Sequence, residues 1–241
     1  MNTQTSIQMM QSMKLTGMAD AYQAITQMPL DKQPHSHECI ATIIDAEQQH
    51  RRFKRSNMYI RLSKLRYQAN IKDISYQPSR NLNQQTIAAL ADCSYILRAH
   101  NIIVTGATGC GKSFITCALG YQACLLGYRT LYFNMNRFCE LIAVAKLDGT
   151  LIKWINRLQK AKLIILDDFG LQPITHQVKI TLLQILEDRY GRSSIIICSQ
   201  LPKQKWYDYF DEPTLADAIL DRITANCTSI QLKGDSLRKR S

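Results

Sequence analysis

Eight consecutive residues near the middle of the chain have the types and spacing of a phosphate-binding loop. They match the pattern G-x-x-x-x-G-K-[ST] at every fixed position. In such a loop the glycines let backbone N–H groups approach phosphate oxygens, the lysine reaches the β- and γ-phosphates, and the hydroxyl can ligate Mg²⁺. The residues expected to bind a nucleoside triphosphate are Gly106, Ala107, Thr108, Gly109, Cys110, Gly111, Lys112, Ser113 and Phe114.

The segments on either side of this loop support the same interpretation. Residues 101–105 form a short apolar run typical of a buried strand, and residues 114–126 carry apolar side chains at helical spacing. A strand, a glycine turn and a helix N-terminus together place unpaired N–H groups and the positive end of a helix dipole around one point. The alternative, an accidental glycine turn, explains neither Lys112 nor Ser113. We therefore expect Lys112 to be catalytic and Ser113 to be a metal ligand.

Two carboxylates follow a second apolar run. Residues 163–166 are all apolar and lead directly into Asp167 and Asp168. The carboxyl end of such a strand in a parallel sheet would open beside the phosphate loop. We expect Asp167 to hold Mg²⁺ and Asp168 to orient or deprotonate the attacking water, so both are candidate catalytic residues. The alternative is a strand that ends in an ordinary polar turn.

The C-terminal third of the chain adds a polar pair after an apolar run and an arginine near the end of a predicted helix. The apolar run 194–198 ends in Ser199 and Gln200, either of which could contact the γ-phosphate or the attacking water. Residues 215–223 predict a helix with Arg222 near its end. The alternative for Arg222 is a surface ion pair with Asp221 or Asp217.

A basic helix is predicted near the N-terminus. Helical patterns cover residues 14–28 and 38 to about 70, and the second of these has Ile40, Ile43, Ile44 and Phe53 as its apolar side. Its cations occur without an acidic residue among them and with two tyrosines interleaved, which favours contact with nucleic-acid phosphates over a solvated helix face of mixed sign. The expected DNA-binding residues are Arg51, Arg52, Lys54, Arg55, Arg61, Lys64 and Arg66.

The order of the predicted elements gives the architecture. Residues 73–83 are polar and contain a proline, which predicts a linker, and residues 84–98 predict a helix. Strands and helices then alternate to a last strand at 229–232, so we expect an α/β domain with a parallel sheet between helices. The expected domains are a helical one at 1–75 and a nucleotide-binding one at 76–241.

Composition restricts the partners and the class of protein. The 241 residues carry a net charge of +11, which favours a polyanionic partner, nucleic acid before an anionic membrane surface. No apolar run is long enough to span a membrane, and residues 1–11 lack the features of a secretory signal. The eight cysteines contain no C-x-x-C, so we expect reduced thiols in a cytoplasmic, nucleoid-associated protein. His35, His37 and Cys39 alternate in a polar loop, which favours a solvated loop over a metal site.

Together these residues resemble one known family. The chain is similar to the IstB family of insertion-sequence ATP-binding proteins, transposase helper ATPases of the AAA+ class that are related to the helicase loader DnaC. Besides the phosphate loop and the basic helix, the resemblance rests on five segments: Lys14-Leu15-x-Gly17-Met18, Asp167-Asp168-Phe169-Gly170, Cys198-Ser199-Gln200-Leu201-Pro202, Ala218-Ile219-Leu220-Asp221-Arg222 and Gly234-Asp235-Ser236-Leu237-Arg238.

The resemblance implies a fold and a role for particular residues. It implies a P-loop AAA+ core with a five-stranded parallel sheet, a small helical N-terminal domain and no C-terminal lid domain. Ser199 is similar to the sensor of the γ-phosphate, Arg222 to an arginine finger that reaches a neighbouring subunit, and Arg238 to a second sensor. Most AAA+ proteins have Glu where this chain has Asp168, so the expected hydrolysis is slow.

The resemblance also implies a function. We expect an ATP- and Mg²⁺-dependent ATPase that forms a homo-oligomer on duplex DNA and recruits or stimulates a transposase, with no membrane partner. A loader of a replicative helicase is the main alternative, because its ATP site would look the same. A small-molecule phosphotransferase shares the phosphate loop, but it explains neither the basic helix nor Arg222.

Overall fold

The chain folds into two compact units. The structure, a computed structural model, describes residues 2–237. The first unit ends at Met58 and the second begins at Tyr59, within a single long helix. This division falls earlier than the boundary expected at 75/76, because Ala69 and Ile74 are buried in the core of the second unit.

The first unit consists of helices. They are α1 (Thr3–Ser12), α2 (Thr16–Thr26) and the first part of α3 (Ser36–Ser63). The helix α1 was not predicted from the sequence. A Cβ at Gly17 would lie 2.6 Å from the carbonyl oxygen of Ala46, so glycine allows α2 to pack directly on α3. The Met18 N–H at the start of α2 donates to the buried carboxylate of Glu47, 3.2 Å away.

Two expectations for α3 were wrong. The helix ends at Ser63 rather than near residue 70, because Lys64 adopts a left-handed conformation with φ 56°. The side chains of Ile40, Ile44 and Phe53 are 54%, 53% and 69% exposed instead of buried. Helical periodicity identified α3, but most of the apolar side that it predicted is exposed in the structure.

The second unit is built on the expected five-stranded parallel sheet. The strands are β1 (Asn101–Thr105), β2 (Thr130–Asn134), β3 (Leu163–Phe169), β4 (Ser194–Ser199) and β5 (Cys227–Gln231). All neighbouring strands are parallel, in the order β2-β3-β4-β1-β5. The carboxyl ends of the strands therefore share one edge of the sheet and the amino ends share the other.

Within residues 2–237, two further helices precede β1, and the others lie between consecutive strands. They are α4 (Gln84–Ala91), α5 (Ser94–Leu97), α6 (Lys112–Leu125), α7 (Met135–Leu147), α8 (Leu151–Gln159), α9 (His176–Arg189), α10 (Trp206–Phe210) and α11 (Pro213–Thr224). The single helix expected at 84–98 is divided into α4 and α5, because Cys93 is left-handed with φ 57°. The short helix α10 was not expected.

Apolar layers cover both faces of the sheet, as burial of parallel strands requires. One layer contains Ile102 and Ile165 with Leu119 of α6, and the other contains Ile103 with Phe138 of α7. Neighbouring residues of β1 thus point to opposite faces. Within residues 2–237, no helix combines the length and apolar character needed to cross a membrane.

Candidate functional site

A cleft opens at the carboxyl edge of the sheet, where the phosphate loop joins β1 to α6. Its volume is about 420 Å³. The lining residues come from the loop, from the segment after α3, from the ends of β3 and β4, and from the C-terminal segment: Arg66, Tyr67, Thr108, Gly109, Gly111, Lys112, Ser113, Phe114, Asp168, Leu171, Gln200 and Leu237. The structure therefore brings the predicted loop residues and Asp168 together around one space large enough for a small ligand.

The loop conformation depends on glycine. Gly109 and Gly111 have φ values of 82° and 91°, where other residues are strained. A Cβ at Gly111 would lie 2.5 Å from a guanidinium nitrogen of Arg80. That guanidinium is almost completely buried and donates to the carbonyl oxygen of Cys110 at 2.8 Å and to that of Ser75. Arg80 thus stabilises the loop through its hydrogen bond to Cys110. The sequence did not reveal this role, because residues 73–83 resemble a linker.

Lys112 lies at the first position of α6, directly after the glycine turn. Its side chain is buried, and its Nζ donates to the carbonyl oxygen of Ala107 at 2.9 Å. The first N–H groups of α6 have no partner inside the helix, and the helix dipole makes this end positive. Lys112 and the start of α6 therefore suit a polyphosphate.

Asp167 is fully buried at the end of β3. Its Oδ2 accepts from the hydroxyl of Tyr132 at 2.7 Å, and its Oδ1 accepts from the N–H of Asp168 at 2.9 Å. Burial, followed by the hydrogen bond to Asp167, raises the pKa of Tyr132, so this hydroxyl remains a donor. The neighbouring β2 strand thereby fixes the orientation of the carboxylate.

Ser113 and Asp167 offer the hard oxygen atoms that Mg²⁺ prefers. No group of three or more His, Cys, Asp and Glu side chains within residues 2–237 is arranged to hold a metal, and this includes His35, His37 and Cys39. A magnesium ion is commonly held by one or two protein oxygens together with phosphates of the substrate. The residues present fit that kind of site.

Asp168 has an unusual backbone and two polar partners. Its φ is 58°, and the pairing of β3 with β4 is irregular between Leu166 and Phe169. Its Oδ2 accepts from Nδ2 of Asn134 at 2.6 Å and lies 3.4 Å from a guanidinium nitrogen of Arg66. Strain of this kind tends to occur at functional sites. Neither partner was identified as a site residue of the nucleotide cleft, because they lie 34 and 102 positions away in the sequence.

Arg66 was expected to bind DNA, but in the structure it lines the nucleotide cleft. It forms ion pairs with Asp168 at 3.4 Å and with Asp167 at 3.9 Å, and its guanidinium lies over the ring of Tyr67. The chain leaves the helical conformation at Lys64, so Arg66 no longer shares a helix face with the other cations. The Arg66 guanidinium therefore lies beside the carboxylates of the cleft and apart from the other cations of the predicted DNA-binding set.

Of Ser199 and Gln200, only Gln200 faces the cleft. The Ser199 hydroxyl is fully buried and donates to the carbonyl oxygen of Phe169 at 2.6 Å. Oε1 of Gln200 accepts from the hydroxyl of Thr108 in the phosphate loop at 2.6 Å. Of the two side chains, Gln200 therefore reaches the phosphate loop, while the Ser199 hydroxyl bonds backbone groups of Phe169 and Leu201.

Arg222 lies far from the cleft of its own chain, at the amino edge of the sheet. Its carbonyl oxygen accepts from the side chain of Asn101, the first residue of β1. Its guanidinium forms ion pairs with Asp221 at 2.6 Å and Glu187 at 2.8 Å, so the expected pairing with Asp221 is present. Any contact of Arg222 with a nucleotide must therefore involve the nucleotide of another copy. Arg238 lies outside the described residues.

The other predicted DNA-binding residues are exposed. Arg51 forms an ion pair with Glu47 at 2.6 Å. Among residues 2–237 no carboxylate pairs with the remaining cations of this set, which are Arg52, Lys54, Arg55, Arg61 and Lys64.

Comparison with known proteins identifies a family of ATP-binding proteins. Residues 8–241 match the family described as IstB-like ATP binding protein. The chain belongs to that family. This IstB-like chain is 38% identical over 228 residues to an insertion sequence ATP-binding protein of Sinorhizobium fredii, a match that covers 95% of the chain and 93% of the relative. It is 34% identical to an ATP-binding protein of an insertion sequence from Pseudomonas fluorescens, with 84% and 88% covered.

Solved structures with the same fold include replication proteins. A crystal structure of the DnaC helicase loader superposes with a TM-score of 0.58 and 17% identity, covering 69% of the IstB-like chain and 98% of DnaC. AMPPCP-bound DnaA from Aquifex aeolicus superposes with a TM-score of 0.60 and 20% identity, covering 73% and 53%. The expected fold, a P-loop AAA+ core with a five-stranded parallel sheet, is therefore confirmed.

Proposed function

We propose that this IstB-like protein is a slow ATPase that assembles on duplex DNA when ATP is bound and recruits or stimulates the transposase of its insertion sequence. The observation that carries the proposal is the meeting of the phosphate loop and Asp168 at one cleft, with Asp167 buried directly before Asp168, in a chain of this family. The names of the relatives support the connection with an insertion sequence.

The residues of the cleft divide the work of nucleotide binding. The loop N–H groups and Lys112 bind the phosphates, while Ser113 and Asp167 hold the magnesium ion. An ion held by these two residues would supply positive charge against the charge that develops on the phosphates. Tyr67, Phe114 and Leu237 line the cleft and provide apolar surface for a base.

Asp168 is the group that orients the attacking water. Its carboxylate is engaged by Asn134 and Arg66 in this conformation, so it can accept a hydrogen bond from water only with the lone pairs that these donors leave free or after one of them withdraws. Gln200 accepts a hydrogen bond from Thr108 of the phosphate loop, and it is the side chain that contacts the γ-phosphate when ATP is bound. A protein with these contacts turns over slowly until its environment changes.

Assembly completes the site, because the cleft of a single copy does not contain that copy's Arg222. An arginine finger contributes about 10³ to 10⁵ in rate. A copy whose amino edge meets the cleft of the next copy supplies this residue after the exposed pairs with Asp221 and Glu187 have opened. Hydrolysis then depends on association, and association on duplex DNA follows from the exposed cations of α3, which bind phosphates without reading the sequence.

Loading a replicative helicase remains the second candidate function, and the shared fold with DnaC is the observation that favours it. The insertion-sequence names of the relatives favour the transposon function instead. Two measurements distinguish the functions. Stimulation of ATP turnover by the transposase supports the first, and copurification of a stable complex with the helicase supports the second.

A sizing experiment tests the proposal. The full chain is mixed with duplex DNA, with and without ATP, and compared with Lys112→Ala. We expect a large complex only with wild-type protein, DNA and ATP together, because Lys112 is the loop residue that reaches the terminal phosphates. Monomeric behaviour of the wild type under all conditions would refute ATP-dependent assembly.

A further inference from the structure

A second cavity lies at the amino edge of the sheet, the edge opposite to the nucleotide cleft. Its volume is about 380 Å³. Four cations line it, which we call the amino-edge cluster, and two tyrosines lie beside them: Arg129, Lys160, Lys162, Arg192, Tyr59 and Tyr128. No part of the ATPase reaction described above uses these residues.

The sheet topology brings the cluster together. Arg129 directly precedes β2, Lys162 directly precedes β3, and Arg192 stands two positions before β4. These strands are parallel neighbours, so their starts lie side by side about 4.8 Å apart. The Lys162 N–H donates to the carbonyl oxygen of Arg129 at 2.8 Å, which continues the ladder one residue beyond the strands. Three cations thus emerge from one sheet edge at adjacent positions.

The positive charge of the cluster is not neutralised nearby. Among the described residues 2–237, none of the four cations forms an ion pair with a carboxylate. The Nε atom of Arg129 is buried and has no hydrogen-bond partner there. A buried donor of this kind is costly unless a ligand satisfies it. The acidic side chains of nearby α9 are occupied, since Glu187 pairs with Arg222 and Asp188 accepts from Gln159.

The charge also extends beyond the cavity in a line. Lys153, Arg157 and Lys160 follow the i, i+4, i+7 spacing of one face of α8 and are all exposed. This face runs for about 10 Å at 1.5 Å per residue. Residues 149–166 contain four cations and no acidic residue. Lys160 has an additional ordinary reason to be at the end of α8, because cations stabilise helix C-termini. The other three cations of the cluster, which precede strands, have no such reason.

We propose that the amino-edge cluster and the basic face of α8 bind the phosphate backbone of duplex DNA. A compact anion would need only the cavity, whereas a line of cations fits an anion whose charge repeats along a polymer, as it does every 3.4 Å along each DNA strand. The two tyrosines offer hydroxyl groups of the kind that contact phosphate. This inference rests on the proposed function and adds a second DNA-binding surface, in the ATPase unit itself.

Salt-dependent binding of a labelled duplex tests the proposal. The full chain is compared with the double variant Lys162→Gln/Arg192→Gln, whose two altered side chains are exposed. The salt slope of the binding constant falls by about 0.9 for each phosphate that the protein no longer neutralises, so we expect a decrease of about 1.8. The swap Lys162→Arg/Arg192→Lys keeps both charges and is expected to keep the slope.

A control variant with the same loss of charge makes the result specific. Lys203→Gln/Lys205→Gln removes two exposed cations that follow the other end of β4, and its slope is expected to change by less than half as much as that of the cluster variant. Equal decreases in both double variants would mean that only net charge matters, and an unchanged slope in the cluster variant would mean that the cluster does not contact DNA. Either result overturns the inference.

The remaining outcomes separate this inference from the proposed function. Binding of a fluorescent ATP analogue, measured on the same samples, is expected to be equal in all variants because the cluster is at the opposite edge. Wild-type protein that does not bind duplex DNA at any salt concentration refutes the proposed function itself. Normal DNA binding by the cluster variant, with loss of assembly or of stimulation by the transposase, assigns the cluster to a protein partner and overturns its role in DNA binding.

Discussion

At the carboxyl edge of the sheet the charged side chains are engaged with protein groups, whereas at the amino edge the cluster cations have no carboxylate partners within residues 2–237. Lys112 binds a loop carbonyl, Asp167 accepts from Tyr132, and Asp168 is held by Asn134 and Arg66. Side chains that are held in place by neighbouring protein groups form a site of defined geometry, which suits a small ligand. Cations without carboxylate partners, three of which are exposed, instead create a field that suits a long polyanion.

Arg222 is the exception at the amino edge, since it is paired with two carboxylates. Under the proposed function Arg222 enters the cleft of another copy, so its substitution is expected to have the largest effect. Arg222→Ala is expected to lower ATP turnover by about 10³ to 10⁵ at concentrations where the wild type assembles, and to leave nucleotide binding unchanged. Turnover is measured as phosphate release across a range of protein concentrations.

Arg192→Ala serves as the control for this prediction, because it removes an unpaired cation from the same edge. Its turnover without DNA is expected to match that of the wild type. A wild-type specific activity that does not depend on concentration would contradict a shared site.

Asp168→Asn tests the carboxyl edge itself. Loss of the group that orients and deprotonates water is expected to reduce turnover by about 10² to 10⁴, with little change in nucleotide affinity. Asp148→Asn, which alters an exposed carboxylate after α7, is expected to have no effect. Equal turnover of Asp168→Asn and wild type would remove Asp168 from the mechanism.

The same glycine substitution at each edge separates backbone strain from crowding. Gly127 directly precedes the amino-edge residues Tyr128 and Arg129, and a Cβ there would have no atom within 4 Å. Gly127→Ala is therefore destabilised only by the backbone φ of 84°, and we expect it to lower the unfolding free energy by about 1 kcal/mol. Gly111→Ala has φ 91° and also crowds Arg80, which adds about 1–3 kcal/mol. Urea unfolding measures both. A smaller destabilisation by Gly111→Ala would show that Arg80 does not press on the loop.

Arg66→Gln is expected to have the smallest effect and the opposite sign. Release of Asp168 from a partly exposed ion pair worth about 0.2–1 kcal/mol should raise turnover without DNA by up to about fivefold. Arg61→Gln on α3 removes an exposed cation that does not pair with Asp168 and is the matched control. A fall in turnover for Arg66→Gln would instead make this arginine a contributor to phosphate binding.

Local patterns were reliable where the local chain determines the structure. The loop 106–113, the buried strands and the two carboxylates near the end of β3 were all predicted, because glycine, apolar runs and strand ends have direct conformational consequences. Patterns failed where one residue interrupts a helix. Lys64 and Cys93 adopt left-handed conformations that nothing in their side chains requires, and they ended α3 early and divided the helix expected at 84–98.

The sequence by itself determined the fold class, the phosphate loop and the family, since each depends on residues close together in the chain or on their order. Only the tertiary structure decided that Arg66 and Asn134 hold Asp168, that Arg80 supports the loop, that Gln200 rather than Ser199 faces the cleft, and that three strand starts assemble the amino-edge cluster. These contacts join residues that are distant in the chain, and the packing of parallel strands side by side is what places them within reach of one another.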